Sequence, residues 1–176
     1  LIIFASDNGA AIQAPIKILN CNAGFKGRKG TLYEGGIRVP FIVNQPGMVP
    51  IQTLDNLIYF PDMMPTLAAL AKGTKHLPKQ INGINILPLF YGKQVDTDNR
   101  LLYWEFPGKQ RAARKGDWKC VTIHPNQPLE LYNLKEDPEE TNNLAKKYPR
   151  RVKEFDEEMQ RMHIPTPNWP QPGEQF

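Results

Sequence analysis

Apolar residues open the chain as an unbroken run, Leu1-Ile2-Ile3-Phe4-Ala5, with two β-branched members. Such a run predicts a strand buried on both faces, as in a parallel sheet. Ser6-Asp7-Asn8-Gly9 ends it with turn chemistry. Residues 10–36 show no clear period and carry glycines at 24, 27, 30, 35 and 36, so most of this stretch reads as loop. Residues 37–43 form a second strand pattern. Pro40 has no N–H to give to a ladder, which places that strand at an edge or delays its start to near Phe41. Over residues 62–72 the pattern turns helical. Asp62 stands in a capping position, Pro65 lies near the first turn, Leu67, Leu70 and Ala71 make an apolar face, and Gly73 follows the end. Residues 73–100 are polar and turn-rich, interrupted by a short apolar insertion at 84–89.

Beyond residue 100 the texture changes. Residues 101–106, 112–123 and 129–134 read as short strands. Turns are predicted at Pro107-Gly108, at Gly116-Asp117 and over 125–128, which makes an antiparallel meander. Val152, Phe155, Met159 and Met162 are spaced three, four and three apart, so residues 149–163 predict an amphipathic helix that packs on the sheet. The proline-rich last dozen residues predict extended chain. The fold class that follows is α/β, becoming α+β in its C-terminal part. Residues 1–95 read as the tail of an α/β layer, and residues 96–176 as a small antiparallel sheet with a covering helix. Two strands do not complete a parallel sheet, and the chain starts at Leu1 within a strand pattern. The sequence therefore reads as a piece of a longer protein.

Composition narrows the class. In 176 residues, 40% are hydrophobic and 10% aromatic, which suits a globular chain and excludes wholesale disorder. No apolar run nears the roughly 20 residues of a membrane-spanning helix. Lys and Arg number 22 against 18 Asp and Glu, a mild excess of +4. The charges are interleaved, with neither the dense basic stripe nor the module of a nucleic-acid binder. Cys21 and Cys120 stand far apart, and neither has a second Cys or His at zinc-ligand spacing.

Two stretches carry candidate chemistry. Asp7-Asn8-Gly9 follows a strand, the place where ligands gather in open α/β sheets. A carboxylate beside a carboxamide supplies two oxygen ligands for a hard cation such as Ca²⁺ or Mg²⁺; the same residues are also ordinary turn formers. Lys26-Gly27-Arg28-Lys29-Gly30-Thr31-Leu32-Tyr33-Glu34-Gly35-Gly36 lets backbone and ammonium approach an anion closely. It lacks the spacing of a phosphate-binding P-loop, and its plainer reading is a solvated basic turn. Glu34 is expected to pair with a nearby Arg or to hold backbone N–H groups. His76, His124 and His163 are isolated, with His124 the one to watch as a substrate contact. Tyr103, Trp104 and Trp118 read as core. Residues 136–140 read as a solvated acidic turn and helix start.

Taken together, several segments resemble the sulfatase family, in its arylsulfatase-like, C-terminal part. They are Ser6-Asp7-Asn8-Gly9, Lys29-Gly30-Thr31-Leu32-Tyr33-Glu34-Gly35-Gly36-Ile37-Arg38-Val39-Pro40, Asp62-Met63-Met64-Pro65-Thr66-Leu67, Asn82-Gly83-Ile84-Asn85-Ile86-Leu87-Pro88-Leu89, Arg114-Lys115-Gly116-Asp117-Trp118-Lys119 and Glu130-Leu131-Tyr132-Asn133-Leu134 with Asp137-Pro138-Glu139-Glu140. The resemblance implies an alkaline-phosphatase-type α/β sandwich, with residues 1–95 in the catalytic domain and 96–176 as the small C-terminal subdomain. It implies a hydrolase acting on sulfuric esters through a formylglycine nucleophile and a divalent cation, Ca²⁺ first and Mg²⁺ second. By this likeness Asp7 and Asn8 are metal ligands, and Lys29 contacts the sulfate and steadies charge on the leaving oxygen. The implied partners are an aryl or carbohydrate sulfate and the N-terminal half of the same protein. A periplasmic, secreted or lysosomal destination goes with the family.

Neither cysteine begins the Cys-x-Pro-x-Arg segment from which formylglycine is made, and no serine version is present. Phe106 follows Trp104-Glu105 where many relatives carry a histidine. The chain alone is therefore expected to lack turnover, and exposed strand edges are expected to make it self-associate. Two other readings remain open at this level: a piece of a metal-dependent phosphoesterase or phosphonate hydrolase, and a non-catalytic carbohydrate-binding module.

Overall fold

The computed structural model describes residues 1–11, 13–14, 16–106, 110–124, 126–167 and 175. In chain order its elements are β1 (Ile2–Ala5), α1 (Ile16–Leu19), α2 (Glu34–Ile37), β2 (Phe41–Asn44), a 3₁₀ turn (Phe60–Asp62), α3 (Met63–Leu70), a second 3₁₀ turn (Thr74–His76), α4 (Leu87–Phe90), β3 (Leu101–Phe106), β4 (Gln110–Lys115), β5 (Trp118–Thr122), β6 (Glu130–Asn133) and α5 (Pro149–Met162). They gather into two units. One contains residues 1–5 and 41–100, the other residues 6–40 and 101–176.

In the first unit β2 begins at Phe41, directly after Pro40, as the missing N–H requires. The expectation of a parallel, doubly buried β1 does not hold among the described residues. β1 pairs antiparallel with β2, from Ile2↔Asn44 to Ala5↔Phe41. Ile3, Phe41 and Val43 pack on Ile86, Leu89 and Phe90, whereas Ile2, Phe4 and Ile42 are 68%, 60% and 58% exposed. An unbroken apolar run hides this alternation, because both faces of the strand read alike. Asp62 also departs from its expected role. It makes no side-chain cap on α3. Instead its buried carboxylate accepts from Tyr59 N–H at 3.0 Å and Ile84 N–H at 2.9 Å, and pairs with both terminal nitrogens of Arg100 at 2.5 and 2.6 Å. Thr66 Oγ1, also buried, accepts from Ile86 N–H at 2.9 Å and so ties α3 to the segment entering α4.

In the second unit β3 to β6 form the expected meander, each strand antiparallel to the next in the order β3-β4-β5-β6. The expected strand 112–123 divides at Gly116, whose φ of +54° turns β4 into β5. Period-two alternation sends side chains to two cores. Ala112, Val121 and Tyr132 face Leu32, Tyr33 and Leu134, with Trp104 alongside. Ala113, Cys120 and Leu131 face Phe155 and Met159 of α5, with Tyr103 and Trp118 alongside. The helix is thus held by its apolar stripe, each large side chain contributing roughly 1.5–3 kcal/mol when fully buried. Cys120 lies inside this second core, and burial pushes its thiol pKa up to about 12. It is a packing residue, free of any disulfide, as is the exposed Cys21. The turn expected at Pro107-Gly108, Pro125 of the later turn, and most of the expected extended tail lie outside the described residues. No helix among the described residues is long and apolar enough to cross a membrane.

Candidate functional site

Asp7, Asn8 and Lys29 all fall in the second unit, where two loops meet backbone to backbone. Ser6 Oγ donates to the Asn8 carbonyl at 2.8 Å and shapes the turn. Gly9 N–H donates to Gly36 O at 2.9 Å, and Lys29 N–H to Ala10 O at 2.9 Å. The approach leaves no room for side chains. A Cβ on Gly9 would lie 1.9 Å from Gly35 O, and one on Gly36 would lie 2.1 Å from Thr31 O. The glycines that make residues 10–36 look structureless in sequence are what lets the Asp7-Asn8 turn sit on the Lys29 loop.

Asp7 and Lys29 are exposed and Asn8 is half-buried. None of the three side chains takes a hydrogen bond or ion pair among the described residues. A carboxylate and a carboxamide with free oxygens suit a hard cation. No group of three or more His, Cys, Asp or Glu that could hold a metal is present among the described residues. The backbone bonds bring Lys29 beside the turn that carries the two oxygen donors.

Beneath this loop cluster lies a buried charge network, of which the sequence predicts only the pairing of Glu34 with an arginine. Lys119 Nζ is fully buried and lies 2.9 Å from Glu34 Oε1 and 2.9 Å from Glu140 Oε1. Arg114 and Arg38 approach the other Glu34 oxygen at 3.6 and 3.8 Å. Glu140 Oε2 accepts from the Glu34 backbone N–H at 2.6 Å. Glu34 opens α2, the turn that contains Gly35 and Gly36. Glu136 and Glu139 are exposed in a turn, as expected, but Glu140 is 1% exposed and no helix starts there. α5 begins only at Pro149, and the backbone at Glu140 adopts φ +55°. Burial raises the Glu140 carboxyl above the ordinary range, against the opposing pull of Lys119. One signal in the sequence was available: Lys119 is in phase with Val121 on a buried strand face, and a lysine there requires an acidic partner.

Lys26 is also no solvated turn residue. Its Nζ lies over the Tyr33 ring at 4.1 Å, donates to Tyr132 Oη at 2.9 Å and stands 3.4 Å from Glu130 Oε2. Tyr33 and Tyr132 hydroxyls both donate to that same Glu130 oxygen at 2.7 Å. Burial raises the Glu130 pKa, but the tyrosine hydroxyls and the ammonium outweigh it, and the pKa ends below the usual glutamate value. Folding therefore favours ionised Glu130. Its contribution is present in full above the unfolded glutamate pKa of about 4.3 and is lost as pH falls through the lower folded value. Urea midpoints of the parent chain and of Glu130→Gln should differ most near neutrality and converge in acid. A gap that stays constant from neutral pH to pH 3 would contradict this.

His76 and His124 are exposed, and His163 Nδ1 lies 2.5 Å from Glu105 Oε1, pinning the end of α5 to β3.

Comparisons with known proteins place the chain in a family. The family described as N-sulphoglucosamine sulphohydrolase, C-terminal, matches residues 25–164. A protein named sulfatase from Formosa agariphila is 32% identical over 85% of this chain and 29% of its own length. An N-acetylgalactosamine-6-O-sulfatase from Bacteroides thetaiotaomicron is 29% identical over 89% of this chain and 35% of its own length. A solved structure described under the metabolism of multiple glycosaminoglycans by Bacteroides thetaiotaomicron superposes with a TM-score of 0.78 at 29% identity, covering 91% of this chain and 38% of that one. The chain spans about a third of the length of the curated relatives it matches. That likeness carries the α/β architecture of alkaline-phosphatase type with its small antiparallel sheet and helix. By the extent of the family match, the chain belongs to the sulfatase family and corresponds to a C-terminal part of it.

Proposed function

We propose that this chain supplies part of the cation and sulfate site of an enzyme that hydrolyses sulfate esters. The observation that carries the proposal is the loop cluster, in which the side chains of Asp7, Asn8 and Lys29, without a partner among the described residues, stand on backbone segments bonded through Gly9–Gly36 and Ala10–Lys29. Sulfatases as a family employ a divalent cation and a formylglycine. Asp7 and Asn8 are the residues that would hold the cation, and Ca²⁺ suits their hard oxygen donors. When bound, that cation polarises sulfate oxygens. Lys29 supplies an ammonium to the ester and steadies the negative charge that grows on the leaving oxygen as the S–O bond breaks. The nucleophile belongs to a Cys/Ser-x-Pro-x-Arg segment absent from these 176 residues, so the chain by itself gives no turnover. In this reading residues 1–95 belong to the catalytic domain and residues 96–176 to a C-terminal subdomain. The names of the relatives divide between a carbohydrate sulfatase and arylsulfatases, so they support a sulfate ester as the substrate class without selecting its alcohol. They also give no support to a phosphoesterase or a free-standing binding module.

The test is cation affinity and turnover of the complete protein that carries this chain. After chelation, activity on a sulfated monosaccharide should vanish and return with Ca²⁺. Asp7→Ala should weaken Ca²⁺ binding, read by calorimetry, by about tenfold or more. Calcium affinity unchanged by Asp7→Ala would sink the assignment of this turn.

A further inference from the structure

Gln110 opens β4 opposite Phe106, at the loop end of a hairpin, yet it is only 8% exposed. Its Nε2 donates to the Gly30 carbonyl at 2.9 Å. A carbonyl only accepts, so the amide nitrogen must face Gly30, and this fixes which way the amide points. The other side of the amide, Oε1, is buried without a hydrogen-bond partner among the described residues. An unpaired buried acceptor detracts from stability. The Gln110 amide is therefore placed for the one bond it makes among the described residues.

That bond acts on the turn carrying Lys29. Thr31 shapes the turn from within. Its N–H and Oγ1 both donate to Arg28 O, at 3.0 and 2.9 Å, and Oγ1 accepts from Arg28 N–H at 3.2 Å. Internal bonds set the shape of a turn but not its position. Gly35 N–H to Lys26 O at 2.7 Å and Asn22 Nδ2 to Gly27 O at 3.2 Å anchor the stretch before it, and two bonds hold the Lys29–Gly30 pair itself: Lys29 N–H to Ala10 O, and Gln110 Nε2 to Gly30 O. Gly30 itself has φ +92° and no neighbour within 4 Å of where a Cβ would stand, so packing does not replace the second bond.

We propose that Gln110 is a positioning residue for Lys29, setting the reach of its ammonium toward the leaving oxygen of the ester. The proposal rests on the assignment of Lys29 made above. Small displacements of a charge-stabilising group cost rate steeply, so the small sheet would govern turnover through this amide.

The experiment compares Gln110→Leu, Lys29→Met and the double variant in the complete protein. The probes are aryl sulfates running from 4-nitrophenyl sulfate to phenyl sulfate, whose leaving groups need increasing stabilisation. Gln110→Leu should lower kcat about tenfold with KM little changed. The loss should grow as the leaving group becomes more basic, and it should vanish in the Lys29→Met background. Exchange of the Lys29 amide proton should speed up, while the melting temperature stays put. A loss that is uniform across leaving groups, a loss that persists in the Lys29→Met background, or unchanged Lys29 amide exchange overturns the proposal. If Lys29→Met itself turns over like the parent, the assignment of Lys29 falls and Gln110 falls with it. If Lys29→Met is slow and Gln110→Leu is not, only Gln110 falls.

Discussion

Lys119→Met should destabilise the chain by roughly 3–5 kcal/mol, a large share of the roughly 5–15 kcal/mol that holds a typical domain together. The substitution keeps the volume of the side chain but leaves Glu140 without its cation. Glu34 keeps Arg114 and Arg38 at 3.6 and 3.8 Å, whereas among the described residues Glu140 forms its ion pair with Lys119. An unpaired buried carboxylate either stays charged at great cost or takes up a proton. Urea titration at neutral pH reads the loss as a shift of midpoint. Adding Glu140→Gln to Lys119→Met should recover part of it, because a neutral amide in place of a stranded carboxylate removes the larger penalty. A single variant within about 1 kcal/mol of the parent, the range of exposed ion pairs, would mean that the network is not buried in solution.

Lys29→Met in the complete protein should lower turnover by about 10²–10³, the range found when one preorganised donor to developing negative charge is removed. Lys29 stands exposed and without a partner among the described residues, so its removal should leave melting unchanged. That separates it from Lys119, whose loss acts on the fold. Steady-state kinetics on a sulfated sugar read the effect, and kcat should fall more than KM rises, since the ammonium is needed most as the leaving oxygen becomes charged. Turnover within threefold of the parent would remove Lys29 from the chemistry.

Several strands and helices were legible because their signals are local. Pro40 located the start of β2 at Phe41, and the stripe of Val152, Phe155 and Met159 located α5 and its buried face. The residues given a chemical role, Asp7, Asn8 and Lys29, came from motif segments, and the structure adds that their loops are hydrogen-bonded neighbours. The apolar run 1–5 misled, because direction and burial depend on the strand beside it, and β2 runs antiparallel. Asp62 misled in the same way. Its local position suits a helix cap, but Arg100, 38 residues on, takes both its oxygens.

By itself, the sequence determined where β2, α3, the four strands of the small sheet and α5 lie and which family the motifs belong to, since period and turn chemistry are properties of neighbouring residues; it did not show the short helices α1 and α2 within a stretch read as loop. Only the tertiary structure decided that residues 6–40 gather with 101–176, that Glu34 shares Lys119 with Glu140 across separations of 85 and 106 residues, and that Gln110 reaches Gly30 across 80. Those pairings are set by the order and register of four strands and by glycines small enough to let two loops touch. No residue in either loop records that contact until the chain is folded.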